Sequence, residues 1–124
     1  MPLLYGIARG DCLYLFCFCA SLPHMSIMSR IVTGDGIDIT SSQDVEVKNC
    51  FIRSTDDSIC IKSQRLFEDP STVRDVTKVR VHNNVIWNAE PGNAIELGYA
   101  LQSEIHDLVS VSYTHLTLPT IYSV

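Results

Sequence analysis

The sequence predicts an all-β chain in which residues 31–108 form two to three coils of a right-handed parallel β-helix. Apolar residues alternate with polar ones over short segments, which is typical of strands. Similar segments recur along the chain, and glycine, asparagine and aspartate separate them. Recurrence with a period of about 20–50 residues indicates stacked repeats that bury a common core.

The repeats align residue by residue. Residues 35–39 (Asp-Gly-Ile-Asp-Ile) resemble residues 57–61, which lie 22 positions later (57 − 35), and residues 93–97, which lie a further 36 positions on (93 − 57). Residues 45–52 match residues 79–86 at an offset of 34 (79 − 45). Alternation sends every second residue of a strand to the same face. Stacking then predicts two inward aliphatic ladders, one of Ile37, Ile59 and Ile95 and one of Ile39, Ile61 and Leu97.

Three further features follow from the same alignment. Asp38, Cys60 and Glu96 are predicted to lie on the outward face of these strands. Asn49 and Asn83 are predicted to stack at one corner and to bond the backbone of the turn. Residues 64–75 are polar and contain a proline, so they predict a loop inserted between two repeats.

Composition and charge exclude several classes of function. The net charge is −5 and the nine basic residues are scattered, which argues against a nucleic-acid partner. The longest apolar run, residues 13–22, has about half the length that a bilayer requires, so we expect no membrane span. The five cysteines have no zinc-type spacing and indicate no disulfide framework. We therefore expect no metal and no cofactor.

Three carboxylates converge if the coils stack as aligned. Asp35 and Asp57 occupy equivalent positions before their strands, and Asp56 precedes Asp57. Neighbouring strands lie about 4.8 Å apart, so the three acids should form a tight cluster in which at least one titrates high. A neutral acid beside ionised carboxylates is the arrangement that glycosidic cleavage requires. The alternatives are ordinary turn chemistry, with Lys62 and Arg53 balancing the charges of Asp56 and Asp57, and calcium binding.

These motifs resemble a known family. Residues 33–39 (Thr-Gly-Asp-Gly-Ile-Asp-Ile) and 54–63 (Ser-Thr-Asp-Asp-Ser-Ile-Cys-Ile-Lys-Ser) are similar to the polygalacturonase family, glycoside hydrolase family 28. The resemblance covers about residues 33–107 and implies a right-handed parallel β-helix that hydrolyses polysaccharides with inversion. It implies that Asp56 is the general acid and that Asp35 and Asp57 position and deprotonate water. It also implies a secreted or extracytoplasmic, monomeric parent protein, although residues 1–30 contain no convincing signal peptide.

The sequence also departs from the family pattern. Thr33 stands where the family has asparagine, and residues 92–94 (Gly-Asn-Ala) stand where it has Gly-His-Gly. The Arg-Ile-Lys motif that binds uronate carboxylates is absent. Specificity for galacturonan is therefore not supported, and a more distant β-helix glycosidase, dextranase-like or of an unassigned bacterial group, fits residues 93–99 at least as well. The candidate substrate-binding residues are Lys62, Asn93, Glu96 and Tyr99.

The two ends of the chain differ from the middle. Residues 1–30 are rich in cysteine and methionine without a clear period, so we expect either a frameshifted or spurious segment or a divergent coil. Residues 109–124 resemble the conceptual translation of a sequencing-library adaptor, which implies that this tail is not part of the enzyme. The chain is therefore expected to be a fragment of a longer hydrolase that is inactive alone.

Two other functions compete with hydrolysis. The first is a non-catalytic β-helix that binds carbohydrate or serves as a structural repeat, which has no need of stacked charges. The second is a polysaccharide lyase, which normally needs calcium and a basic residue near the cleaved bond. Only Lys62 and Arg53 are near enough in sequence to serve as that base.

Overall fold

The computed structural model describes residues 5–9, 12–16, 20–29, 34–66, 68–88 and 92–117. These residues form strands and one short 3₁₀ helix, and none of them lies in an α-helix, so the predicted all-β class is confirmed. The strands are β1 (Tyr5–Arg9), β2 (Cys12–Phe16), β3 (Ala20–Pro23), β4 (Ser26–Met28), β5 (Ile37–Thr40), β6 (Gln43–Lys48), β7 (Phe51–Ser54), β8 (Ile59–Ser63), β9 (Val76–His82), β10 (Val85–Asn88), β11 (Ile95–Leu101), β12 (Ile105–Val111) and β13 (Thr114–Thr117).

The strands form three sheets that the chain visits in turn. Sheet A has the order β1-β2-β5-β8-β11, sheet B the order β3-β6-β9-β12, and sheet C the order β4-β7-β10-β13. Every pairing within these sheets is parallel except that of β1 with β2, which is antiparallel. From β2 onward, each strand pairs with the strand that lies three positions earlier or later in the chain. This cyclic order places equivalent residues of successive repeats side by side.

The predicted ladders are confirmed in register. Ile37 pairs with Ile59 and Ile59 with Ile95, while Ile61 pairs with both Ile39 and Leu97. In sheet B, valines pair at the offset of 34 that the sequence alignment gives. The inward side chains pack into one buried core, but Leu97 is 58% exposed because β11 is the last strand of sheet A. The core consists of Ile37, Ile39, Val45, Val47, Cys50, Ile52, Ile59, Ile61, Val76, Val79, Val81, Ile86 and Ala94.

The corner between sheets B and C repeats one backbone conformation. His24, Asn49, Asn83 and Ser112 all have φ between 51° and 56°, in the left-handed region where asparagine is tolerated better than most residues. Asn49 and Asn83 thus occupy equivalent turn positions, as predicted, but both side chains are exposed.

The side chain that bonds the neighbouring repeat at this corner belongs to the next residue, Asn84, which is fully buried. Its Oδ1 accepts a hydrogen bond from the Cys50 amide at 2.9 Å, and its Nδ2 donates to the Val47 carbonyl at 3.0 Å. The left-handed turn at Asn83 is followed by an inward residue, so the buried amide comes one position later than the sequence alignment suggests.

The predicted inserted loop lies between β8 and β9. Strand β8 ends at Ser63 and β9 begins at Val76, so the loop has the predicted bounds, residues 64–75. It contains the 3₁₀ helix Pro70–Thr72, whose first turn is capped by Asp69 through a 2.9 Å bond from the Ser71 amide. The loop changes the length of one repeat, while β5 and β8 before it and β6 and β9 on either side of it pair in continuous register. The pairing of β8 with β11 shifts register between Leu97 and Leu101, next to the point where the loop leaves β8.

Strands from both end segments continue the three sheets. Strands β2, β3 and β4 pair in parallel with β5, β6 and β7, and β12 and β13 pair in parallel with β9 and β10. The origins of residues 1–30 and 109–124 stay predictions, and residues 118–124 lie outside the described part of the chain. No helix in the described ranges has the length and apolarity needed to cross a membrane.

We expect the 124-residue chain, produced alone, to aggregate. Strands β11, β12 and β13 each end a sheet among the described residues, and unpaired strand edges promote association. Size-exclusion chromatography with light scattering tests this prediction, and a soluble monomer with a cooperative melt would contradict it. The same end exposes the apolar side chains of Leu97, Leu101, Val109, Val111 and Tyr113.

Substitution of Asn84 by Ala should destabilise the fold. The change removes two hydrogen bonds from a fully buried position, so the free energy of unfolding should fall by about 2–4 kcal/mol. Urea denaturation measures this loss. Asn83→Gly is the matched control, because glycine accepts the positive φ and the Asn83 side chain is exposed. Equal effects of the two substitutions would contradict the role of Asn84.

Candidate active site

Backbone hydrogen bonds align three successive corners where the chain enters sheet A. The Gly36 amide donates to the Asp57 carbonyl at 2.9 Å, and the Ser58 amide donates to the Asn93 carbonyl at 2.8 Å. These bonds continue the parallel ladders of β5, β8 and β11 into the corners. As a result, Asp35, Asp57 and Asn93 occupy equivalent positions side by side.

Two glycines allow the corners to approach closely. A Cβ atom on Gly36 would overlap the carbonyl oxygen of Ser58, and a Cβ atom on Gly92 would overlap the carbonyl oxygen of Asp56. Backbone atoms cannot move aside as a flexible side chain does, so any larger residue would push the neighbouring repeats apart. The glycines therefore contribute directly to the spacing of the acids.

The structure brings together the three predicted acids. One carboxylate oxygen from each of Asp35, Asp56 and Asp57 lies within 4.8 Å of the others. All three residues are half-buried, so they line the surface and remain accessible to a ligand. The predicted convergence of the three acids is therefore found in the structure.

The three carboxylates differ in their hydrogen-bond partners. Asp35 Oδ2 lies 3.2 Å from Lys62 Nζ, in an ion pair. Asp57 Oδ1 accepts two bonds from Asn93, from its backbone amide at 2.7 Å and from its Nδ2 at 3.0 Å. Asp56 receives a backbone hydrogen bond from Asp57 and has no ion-pair partner among the described residues.

Electrostatics distinguish Asp56 from its neighbours. Partial burial raises the pKa of the Asp56 carboxyl above its usual value, and the negative charges of Asp57 and Asp35 raise it further. Repulsion between like charges at this distance favours a proton on one of them. The expectation that one acid of the cluster titrates high therefore holds for Asp56.

A second group of polar residues lies beside the cluster on sheet A. Asp38 is 0% exposed, and its Oδ2 lies 3.1 Å from Lys62 Nζ. Burial raises the pKa of Asp38 to about 6, and the positive charge of Lys62 opposes that rise. The Cys60 thiol lies 3.5 Å from both Asp35 Oδ2 and Asp57 Oδ2, and burial raises its pKa.

Sequence reasoning missed Asp38 as a member of the site and misassigned the partners of Lys62. Lys62 pairs with Asp35 and Asp38, whereas the turn-chemistry alternative assigned it to Asp56 and Asp57. Strand alternation contains the missing signal, because it places Asp38, Cys60 and Lys62 on the same outward face of neighbouring strands. The charge of Arg53 is likewise directed elsewhere, since its guanidinium lies 5.0 Å from the centre of the Trp87 ring.

Among the described residues, three of the four candidate substrate-binding residues adjoin the acids, and Tyr99 does not bond to them. Asn93 contacts Asp57 and also donates through Nδ2 to Glu96 Oε2, so Asn93 and Glu96 adjoin the acids. Lys62 reaches the cluster through Asp35. Tyr99 is 94% exposed and makes no hydrogen bond to the described acids. Thr33, where the family has asparagine, lies outside the described residues.

The oxygens of Asp35, Asp56 and Asp57 are also of the type that calcium prefers. The ammonium of Lys62 already lies 3.2 Å from Asp35, and a calcium ion bound there would face this positive charge. The ammonium thus serves as the counter-charge within the site, and we propose no metal for it.

Comparison with known proteins assigns no family to this geometry. Scanning protein-family models, curated proteins and solved structures gives no match to the chain. Any proposal about function therefore depends on the arrangement of the residues themselves.

The burial of Asp38 predicts a specific dependence of stability on pH. Because its pKa is about 6 in the folded protein and near 3.8 when unfolded, its contribution is full below pH 4 and is lost as the pH rises through 6. The stability of the wild type relative to Asp38→Asn should fall by about 2–3 kcal/mol between pH 4 and pH 7. Urea denaturation across this range measures the difference, and parallel pH profiles for the two proteins would contradict the assignment.

Proposed function

We propose that the three sheets are the faces of a right-handed parallel β-helix and that the chain is part of a glycoside hydrolase. The cyclic order of the strands, with parallel pairing at every third strand, supports the helical architecture. Parallel crossovers are right-handed in about 98% of cases, which supports the handedness. The single observation that carries the function is the grouping of three carboxylates within 4.8 Å.

The partners of the acids support separate roles for them. Asp56 is the general acid, because its raised pKa lets it hold the proton that the leaving oxygen receives. Asp35 and Asp57, which accept bonds from Lys62 and Asn93, hold and deprotonate the attacking water. The proton of Asp56 passes to the glycosidic oxygen, and the water oxygen bonds to the anomeric carbon as the glycosidic bond breaks.

The stereochemistry follows from the resemblance and not from the spacing. Inverting enzymes typically place their two carboxyl groups about 6.5–9.5 Å apart, and retaining enzymes about 5–5.5 Å apart. The closest oxygens of the three acids are within 4.8 Å, which is shorter than either range measured between carboxyl groups. Inversion, with a water held between Asp35 and Asp57, remains our proposal, and the anomeric configuration of the first product tests it.

The charge of the site supports a hydrolase over a lyase. A lyase needs a base beside the cleaved bond, but Lys62 is paired with Asp35 and Asp38, and Arg53 lies over Trp87. Four acids, Asp35, Asp56, Asp57 and Glu96, adjoin the site, so a neutral polysaccharide fits it better than a polyuronate. We further propose that the parent protein is monomeric and secreted or extracytoplasmic, because intact polysaccharides are met outside the cell.

Substitution of Asp56 by Asn should abolish hydrolysis. Removal of a general acid typically costs about 10²–10⁴-fold in rate, and asparagine preserves the size of the side chain. Release of reducing ends from neutral glucans and from polygalacturonan is measured with the protein encoded by the complete reading frame. Asp44→Asn is the control, since Asp44 lies on sheet B and pairs only loosely with Lys78 at 3.8 Å.

Two results would contradict the proposal. One is activity of Asp56→Asn close to that of the wild type. The other is absence of hydrolysis by the wild type on the whole panel, combined with tight binding to one of the polymers. That second result would favour the non-catalytic carbohydrate-binding alternative.

A further inference from the structure

Lys62 lies between two carboxylates of different accessibility. Its Nζ is 3.2 Å from Asp35 Oδ2 and 3.1 Å from Asp38 Oδ2, and its side chain is only 18% exposed. Asp35 belongs to the accessible cluster, whereas Asp38 is completely buried. The ammonium therefore connects an accessible acid of the cluster to a buried acid on the same outward face of sheet A.

Stability alone does not explain why the Asp38 carboxylate is buried beside Lys62. Burial of charged groups carries a large desolvation cost, and buried ion pairs often stabilise no more than apolar residues of similar size. Asp38 Oδ1 also has no hydrogen-bond partner among the described residues, which adds to the cost. A buried acid with an unsatisfied oxygen in this place indicates a role beyond packing.

We propose that Lys62 is a positioning residue that fixes the Asp35 carboxylate, and that Asp38 anchors Lys62 for this purpose. The inference rests on the hydrolase function proposed above. The buried carboxylate of Asp38 holds the ammonium from the neighbouring strand, so the lysine cannot swing away when substrate displaces water. The ammonium orients Asp35 towards the water opposite Asp56 and offsets the repulsion between Asp35 and Asp57.

The titratable groups that act on the ammonium of Lys62 are two acids and a thiol. Asp38 and Asp35 bond to it, and Cys60 lies beside it on the same strand, with its thiol 3.5 Å from Asp35 and from Asp57. The Cys60 thiol stays protonated because burial raises its pKa, so it adds no charge. Lys62 is thus the cation that balances Asp35 and Asp38 among the residues described here.

The alternative role for Lys62 is direct binding of substrate. An ammonium has three N–H donors, and two of them are directed to Asp35 and Asp38. The third donor is available for a sugar hydroxyl. The two roles make different kinetic predictions, because a substrate contact changes KM while a positioning contact changes kcat and its dependence on pH.

The test compares Lys62→Met and Lys62→Arg with the wild type in the protein encoded by the complete reading frame. We expect Lys62→Met to lower kcat about 10²-fold with KM changed less than about threefold, and Lys62→Arg to recover part of kcat. The low-pH limb of the kcat/KM profile should move to higher pH in Lys62→Met, because the base loses its neighbouring positive charge. Lys48→Met is the control, since Lys48 pairs with Glu46 at 2.8 Å on sheet B.

A raised KM with unchanged kcat, or an unchanged pH profile, would overturn the positioning role and leave the hydrolase proposal intact. The hydrolase proposal is tested separately, because activity retained by Asp56→Asn would contradict it. If Lys62→Met does not fold, Asp38→Asn replaces it, and it should lower kcat in the same way with KM unchanged.

A measurement independent of activity tests the anchor itself. Reductive methylation with formaldehyde should modify Lys62 much more slowly than the exposed Lys78 in the wild type. Asp38→Asn should make Lys62 react nearly as fast as Lys78, because the substitution removes the ion pair between Asp38 and the ammonium. Slow methylation of Lys62 in Asp38→Asn would overturn the anchoring role.

Discussion

The parallel backbone ladder of sheet A is the constraint on which the site depends. Each rung fixes the distance between equivalent residues of neighbouring repeats, and the bonds from Gly36 to Asp57 and from Ser58 to Asn93 carry that spacing into the corners. No contact beyond the ladder is needed to bring the acids together. When two repeats that each carry an acid at the same corner stack in parallel, the two acids lie side by side.

The same geometry creates an electrostatic cost that the neighbouring residues offset. Asp35 and Asp57 stack as like charges, but Lys62 bonds to Asp35 and Asn93 donates two bonds to Asp57. Asp56 receives no comparable partner among the described residues, and its pKa is raised. One corner thus holds three acids with different hydrogen-bond partners, and the one without a comparable partner is the one whose pKa is raised.

Features that depend on period and offset could be predicted from the sequence, and features that depend on side-chain reach could not. Alternation and the offset of 22 give the pairing of Ile37 with Ile59, and with it the meeting of the acids. The partners of Lys62 depend on a long side chain that crosses between strands. The inward turn of Asn84 follows from a left-handed residue at Asn83, a conformation that sequence spacing does not encode.

The loop at residues 64–75 shows how such a protein can gain residues between two strands while the sheets are kept. Because β5 pairs with β8 and β6 with β9 in continuous register, the added length is accommodated at one corner between sheets A and B. Insertions at this corner are therefore separable from folding, and they supply a place where recognition can diversify between related proteins. For engineering, the same loop is a natural acceptor for a grafted peptide, since its ends are held by strands that form independently of its content.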